Sequence, residues 1–178
     1  MSPIYPNFQK TATSKRDYSV DWSVNAPGDG ITAVTWSVPG GITNLATSYS
    51  GSVATIRLSG GTIGQTYQIS CAATRQSGQI DKRTFLVTIV SRIVMLVAVK
   101  DPGAALDYTI NAASLFSGDT VLTYSWSGDG LTIVGASNAA TVRLSAGSAG
   151  QTYYPTVHIV TAGGQEDDRT IEITIQDS

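Results

Sequence analysis

This 178-residue sequence predicts an all-β chain, a tandem of two antiparallel β-sandwiches. Three observations carry that expectation. First, Ala54–Tyr67 reads ATIRLSGGTIGQTY and Ala140–Tyr153 reads ATVRLSAGSAGQTY, with ten of fourteen positions identical. An internal repeat of this kind fixes the organisation of a chain before any other feature is weighed. Second, apolar residues alternate with polar ones at period two, and helical periodicity is hard to find. Third, Pro and Gly clusters punctuate the alternating runs, as turns do between short strands.

The repeat extends along most of the chain. Lys10, Asp17-Tyr18, Gly28-Asp29 and Trp36-Ser37 recur 90 residues later as Lys100, Asp107-Tyr108, Gly118-Asp119 and Trp126-Ser127. From residue 54 the offset is 86, and Asp81 and Arg83-Thr84 recur as Asp167 and Arg169-Thr170. The second copy therefore lacks four residues, and the gap falls within Val38–Val53. That stretch is rich in Pro, Gly, Thr and Ser and reads as a loop, which absorbs length changes easily. Two domains are expected, residues 1–92 and 93–178, each of an ordinary size for a small independent fold.

The elements follow in order. Tyr18, Val20, Trp22 and Val24 fall on one side of a first strand, and Val34, Trp36 and Val38 on one side of the next. Tyr67, Ile69, Cys71 and Ala73, then Phe85, Val87 and Ile89, complete the first copy. The second copy offers Leu106, Tyr108 and Ile110; Leu122, Tyr124 and Trp126; Tyr153, Val157 and Ile159; and Ile171, Ile173 and Ile175. Alternation of this kind means one buried and one wet face, as in antiparallel sheets. The turns are Pro27-Gly28-Asp29-Gly30, Pro39-Gly40-Gly41, Gly60-Gly61 and Gly163-Gly164. A mid-domain tryptophan on a strand, followed by a tyrosine opening a later strand, points to an immunoglobulin-like sandwich. Trp36 and Trp126 are then core anchors, and Tyr67 and Tyr153 corner tyrosines.

Composition narrows the classes of function. Charged residues make up 13%, about half the usual share of roughly 25%. Ser and Thr number 42 and Gly 18, a turn-rich β composition with ample Val, Ile and aromatics. The longest apolar run, Ile93–Val99, is far short of a membrane helix. The opening Met1-Ser-Pro-Ile-Tyr-Pro lacks the pattern of a secretory signal, and the single cysteine, Cys71, has no internal partner. Synthesis in a reducing cytoplasm is the expectation. A net charge of −2 argues against nucleic acid as a partner. Eight Lys/Arg against four Asp give residues 1–92 a net +4, and three against nine acids give residues 93–178 a net −6. Like folds of opposite charge can attract head to tail, which closes into rings or grows filaments.

Chemistry-bearing motifs are sparse. His158 is the only histidine, expected on the outer face of a strand and without an acid cluster around it. No Ser/His/Asp arrangement is expected. Cys71 reads as a small core residue. Glu166-Asp167-Asp168 lacks the alternating pattern of a calcium loop. Arg57 and Arg143, Asp81 and Asp167, and Arg83 and Arg169 recur in both copies. Surface ion pairing across strands is expected of them, with the arginines facing outward. No catalytic, cofactor-binding or metal-ligating residue is assigned, and no enzyme is expected. An aromatic platform for a sugar would draw on Trp22, Tyr49 and Tyr154.

The pattern Lys-Asp-Pro-Gly-Ala-Ala-Leu-Asp-Tyr (100–108), Gly-Asp-Thr (118–120), Tyr-Ser-Trp (124–126), Ala-Thr-Val-Arg-Leu-Ser-Ala-Gly (140–147), Gly-Gln-Thr-Tyr (150–153) and Asp-Asp-Arg-Thr-Ile (167–171) resembles a known family. It is that of small phage virion proteins with immunoglobulin-like domains, the fiber–tail adaptors. The first copy matches the family's central motif at 58–67 but departs at Lys10–Asp17. The resemblance covers both domains and brings no active-site residue with it. It implies a structural part of the virion tail, made in the host cytoplasm. One domain would grip the tail or neck ring and the other would meet the fiber. Partners would be other virion proteins and copies of itself in a ring. Pro39–Gly51 and Gly128–Asn138 are the expected partner-specific loops. A capsid decoration or neck protein, and a carbohydrate-binding module of a host-recognition device, are the alternatives.

Overall fold

The structure is a computed structural model that describes residues 6–23, 28–116, 118–135 and 138–177. The chain divides into two compact units, Met1–Ser91 and Arg92–Ser178, and each is an antiparallel β-sandwich with one parallel edge strand. The fold is the immunoglobulin-like, all-β class that alternation and repeat predict.

The first unit has seven strands: β1 (Asn7–Thr11), β2 (Arg16–Asp21), β3 (Ile31–Ser37), β4 (Ile42–Ser50), β5 (Val53–Gly60), β6 (Thr66–Arg75) and β7 (Ile80–Val90). One sheet runs β1-β7-β6-β3, with β1 parallel to β7, and the other runs β2-β5-β4. The second unit repeats the plan with β8 (Val94–Lys100), β9 (Leu106–Thr109), β10 (Val121–Ser127), β11 (Thr132–Ile133), β12 (Thr141–Ser145), β13 (Thr152–Tyr153), β14 (Thr156–Thr161) and β15 (Glu166–Ile175). A 3₁₀ turn, Ala113–Leu115, precedes β10. The counterpart of β6 is split into β13 and β14 at Pro155, which has no N–H to give the ladder.

The alternating residues meet between the sheets. Ile56, Leu58, Ile69, Cys71, Ala73, Val87 and Ile89 are fully buried in the first core. Leu144, Val157, Ile159, Ile171, Ile173 and Ile175 are their counterparts in the second. Each Val, Leu or Ile among them contributes ~1.5–3 kcal/mol by leaving water. Val24 lies outside the described residues.

Four expectations need correction. The stretch 38–53 is mostly not a loop: nine of its residues form β4, hairpinned to β5. The second copy shortens that strand to the two residues of β11, so the length difference is one of strand and not of loop. Leu122 is not in the core. A β-bulge between Val121 and Thr123 pushes it out, 63% exposed, and Val121 packs inward instead. The same bulge falls at Thr32 in the first copy. Leu106, at the start of its strand, is also exposed. Finally, Trp126 is buried, but its counterpart Trp36 is only partly so. The fully buried tryptophan of the first unit is Trp22. Its counterpart is Ala112, and Phe116 is buried near it in the second core.

The duplicated LSGGTxGQTY segment is a turn whose contacts repeat almost atom for atom. Lys10 Nζ donates to the carbonyls of Thr11 (2.7 Å) and Gly60 (2.8 Å). Lys100 Nζ donates to those of Asp101 (2.7 Å), Pro102 (3.3 Å) and Ala146 (2.7 Å). Both lysines are buried, at 0% and 1% exposure. Gly60 and Ala146 take positive φ, 69° and 64°, which turns their carbonyls toward the lysine. The next residue must be glycine: a Cβ on Gly61 would lie 2.5 Å from Ile89, and one on Gly147 2.8 Å from Ile175. The Tyr67 hydroxyl accepts from Thr62 N and that of Tyr153 from Ser148 N, both at 3.0 Å. Gly64 N to Ile89 O, and Gly150 N to Ile175 O, close the turn onto the last strand at 2.8 Å.

Two stability predictions follow from this turn. Lys100→Met should lower the free energy of unfolding by about 1–3 kcal/mol, because it takes the donor from three part-buried carbonyls, as read in urea titration. Ala146→Gly should raise it by about 1 kcal/mol, because it relieves the positive φ, and the same titration resolves the sign.

Candidate functional site

The repeated charges divide into two groups. Arg57 and Asp17 face each other across β5 and β2 and form a bidentate pair at 2.7 and 2.9 Å. Arg143 and Asp107 occupy the same positions across β12 and β9, at 3.8 Å. These are the cross-strand surface pairs expected, worth ~0.2–1 kcal/mol each. The second group turns inward, Asp167 completely and Asp81 in part, its side chain being 30% exposed. Asp167 is fully buried and meets Arg169 at 2.5 Å. In the first unit Asp81 pairs with Arg75, itself only 2% exposed, at 2.7 Å. Asp81 and Asp167 share the strand parity of Phe85 and Ile171, so alternation itself turns them inward at the end of the sandwich.

A second duplicated polar device ties two loops. Asp29 accepts from Ser77 N (3.0 Å) and Ser77 Oγ (2.7 Å). Asp119 accepts from Gly163 N (3.0 Å), the counterpart of Ser77 N. Both carboxyls are held below the usual range. The Ser77 hydroxyl is the main cause for Asp29, and a Thr161 side-chain hydrogen bond for Asp119.

His158 has acidic neighbours after all. The β14–β15 pairing sets Asp168 directly opposite it. Nδ1 lies 2.8 Å from Asp168 Oδ1, and Nε2 lies 3.8 Å from Glu166. On the other side Ser125 is in register with His158. A Ser-His-Asp row thus crosses three strands, which sequence spacing alone does not reveal. No hydrogen bond joins Ser125 to the imidazole, and the row lies on a sheet whose neighbouring N–H groups serve the ladder. An acyl-transfer site needs a serine bonded to its base and free donors for the oxyanion. Neither requirement is met by these residues. Among the described residues, no group of three metal-ligating side chains gathers.

The three aromatics considered for sugar binding are differently placed. Trp22 is 1% exposed, with Arg83 stacked 4.5 Å from its ring. It is a core residue and presents no platform. Tyr154 is half-buried beneath Arg92, 3.8 Å from its ring. Tyr49 alone offers an exposed ring, and its hydroxyl is tied to Thr32 O at 2.7 Å. A shallow depression of about 270 Å³ is lined by Ser23, Gly28, Asp29, Gly30, Gly51, Ser52 and Gln76. Its one carboxylate is already bonded to Ser77.

What is unlike between the units is therefore their surface: β4 against β11, β8 against β1, and the sign of the charge. A family model, that of the podophage GP4 fiber-tail adaptor protein gp77, matches residues 10–88 and again 100–174. The chain belongs to this family. The two matches coincide with the two sandwiches, so each unit is one copy of the gp77 domain. No curated protein matches. Among solved structures, a chimeric titin Z1Z2 carrying a decorin peptide shares 14% identity, covering 98% of this chain and 95% of that one, at a TM-score of 0.37. The N-terminal Ig1-2 module of Drosophila receptor protein tyrosine phosphatase DLAR shares 10%, covering 96% and 95%, at 0.36. Fibronectin(III)-like modules of Clostridium thermocellum CbhA share 12%, covering 99% and 92%, at 0.31. No residue role is carried over from them.

Cys71 lies in the first core with no exposure, and burial pushes its thiol up to about 11. The thiolate is the reactive form, so at about pH 8 a thiol reagent should label native protein far more slowly than unfolded protein. A raised folded value stabilises below the unfolded value near 8.5 and is lost as pH rises toward 11. Unfolding midpoints in that window should therefore fall more steeply for the wild type than for Cys71→Ala.

Proposed function

We propose that this chain is a non-enzymatic structural protein of the virion tail that joins tail fibers to the tail or neck ring. Residues 1–92 form one domain and 93–178 the other, and each meets a different partner. The carrying observation is that the fiber-tail adaptor family matches both copies of the repeat. A single adaptor domain has one set of surfaces, whereas a tandem has two. The units keep the same framework and differ on exposed edges and in net charge, +4 against −6. That is the pattern expected when one fold serves two neighbours. The partners are other virion proteins, and copies of the chain around the tail ring supply avidity. Neither nucleic acid nor membrane is a partner, and the protein is made in the host cytoplasm before assembly.

A reconstruction of the phage particle tests this reading. The expected result is density for the two sandwiches between the tail or neck ring and the fibers. Particles made without the protein should lack fibers and keep a filled head. Density on the capsid face, or fibers retained in its absence, would overturn the proposal.

A further inference from the structure

Both units end each sheet on an edge strand, and two of those edges are unlike their counterparts. β4 lies at the end of the β2-β5-β4 sheet and is nine residues long, where β11 has two. All of β4 after Ile42 is exposed, and the strand has neither charge nor proline. β8 pairs with β15 on one side only and reads Val-Met-Leu-Val-Ala-Val-Lys. Its counterpart β1 reads Asn-Phe-Gln-Lys-Thr. Of thirteen large exposed apolar side chains among the described residues, two are on β4 and five on β8. The apolar surface of the molecule is thus concentrated on these two strands.

Open edges of this kind are templates for pairing, and folded proteins guard them with lysine, proline or brevity. Here lysine, proline and brevity are all missing, and the remaining guard is one register irregularity in each ladder, at Leu45 in β4 and at Met95 in β8. The one charge in β8 is Lys100, and its ammonium is turned into its own domain onto three carbonyls. β4 has no charge to present.

We infer that β4 of one copy pairs with β8 of the next, head to tail. This deepens the adaptor reading by naming the surfaces that join copies, and it rests on that reading only for the site of assembly. Three features commit the occupant to a second copy. The edges are long enough to pair over about seven residues, at nine and seven. They lie on units of opposite net charge, so association is steered toward unlike ends. Each differs from its counterpart in the other unit, β4 in length and β8 in apolar character. The other charge-free edges of more than two residues, β3 and β10, are counterparts in the two units and cannot tell head from tail. Backbone hydrogen bonds between edges supply affinity, and Leu45 and Tyr49 against Val97 and Val99 supply apolar contact. A contact of this type closes into a ring or extends as a filament.

Sedimentation velocity on the full chain tests the inference, using Thr47→Lys and Val97→Lys as guards placed on each edge. The wild type should self-associate as concentration rises. Each variant alone should be a monomer. Mixed together they should give a dimer and stop there, because each retains one open edge. The mixed pair should associate at concentrations at least about tenfold below either variant alone. Leu122→Lys, on the shared β10 edge, should assemble as the wild type does. Hydrogen exchange of the wild type gives a readout without substitutions: amides of 43–50 and 94–99 should gain protection on concentration. A wild type that stays monomeric, or protection gained elsewhere, overturns the inference. Self-association by Thr47→Lys alone would assign a symmetric β8 contact and overturn it too. No tail or fiber is present in these measurements, so they stand apart from the location of the protein in the particle.

Discussion

The interaction on which each unit depends is the buried lysine that holds its turn. Lys10 and Lys100 leave water entirely, and their Nζ atoms are met by main-chain carbonyls. An ammonium has three donors and no acceptor, and the three carbonyls around Lys100 match that valence. One of the carbonyls comes from a residue forced into positive φ, and that residue opens the LSGGTxGQTY turn. The turn then sets the corner tyrosine and closes on the last strand. The parallel edge strand, the hairpin and the last strand are thereby joined at one point. A lysine held in this way is costlier to remove than a surface one, since its part-buried carbonyls would lose their donor.

That constraint explains why the repeat is so uneven. Identity is dense through the turn, and where its residues differ, as at Gly60/Ala146 and Thr62/Ser148, the contact to the lysine or the tyrosine hydroxyl is made by the main chain and survives the exchange. Beyond it, the core accepts exchanges of volume. Trp22 in one unit answers to Ala112 in the other, and Phe116 is buried in the second core. A sandwich core tolerates this when total volume and patterning are kept. The edges carry no such constraint. β4 shrinks to β11 without touching either core, because only its first residue is buried.

Much of this architecture was legible in the sequence, for a definable reason. Period-two alternation reports which side of a strand is buried, and it assigned Ile69, Val87, Ile171 and their neighbours correctly. It failed at Leu122, because a bulge inserts a residue and reverses parity beyond it. It failed for 42–50, because that strand has no buried face to create a pattern. Residue type alone reads Asp81 and Asp167 as surface charges, whereas their strand parity is that of Phe85 and Ile171, and the fold buries Asp167 fully and Asp81 in part. The Ser125-His158-Asp168 row lies across strands, and no spacing along one chain encodes a register. The lysines left a usable signal: a charge recurring at the same offset as the core residues, which in the second copy ends an apolar strand.

The same lysine connects framework to surface. In most edge strands a lysine would point outward and keep other strands away. In β8 it is drawn inward to hold the turn, and the strand it ends is otherwise wholly apolar. The fold's requirement for a buried ammonium thus removes the natural guard from its own edge. In β1 the same inward lysine is preceded by Asn7 and Gln9, both exposed, so that edge stays polar. One duplicated interaction therefore leaves a polar edge in the first unit and an apolar one in the second. The difference lies in the residues beside the lysine, where packing imposes no choice.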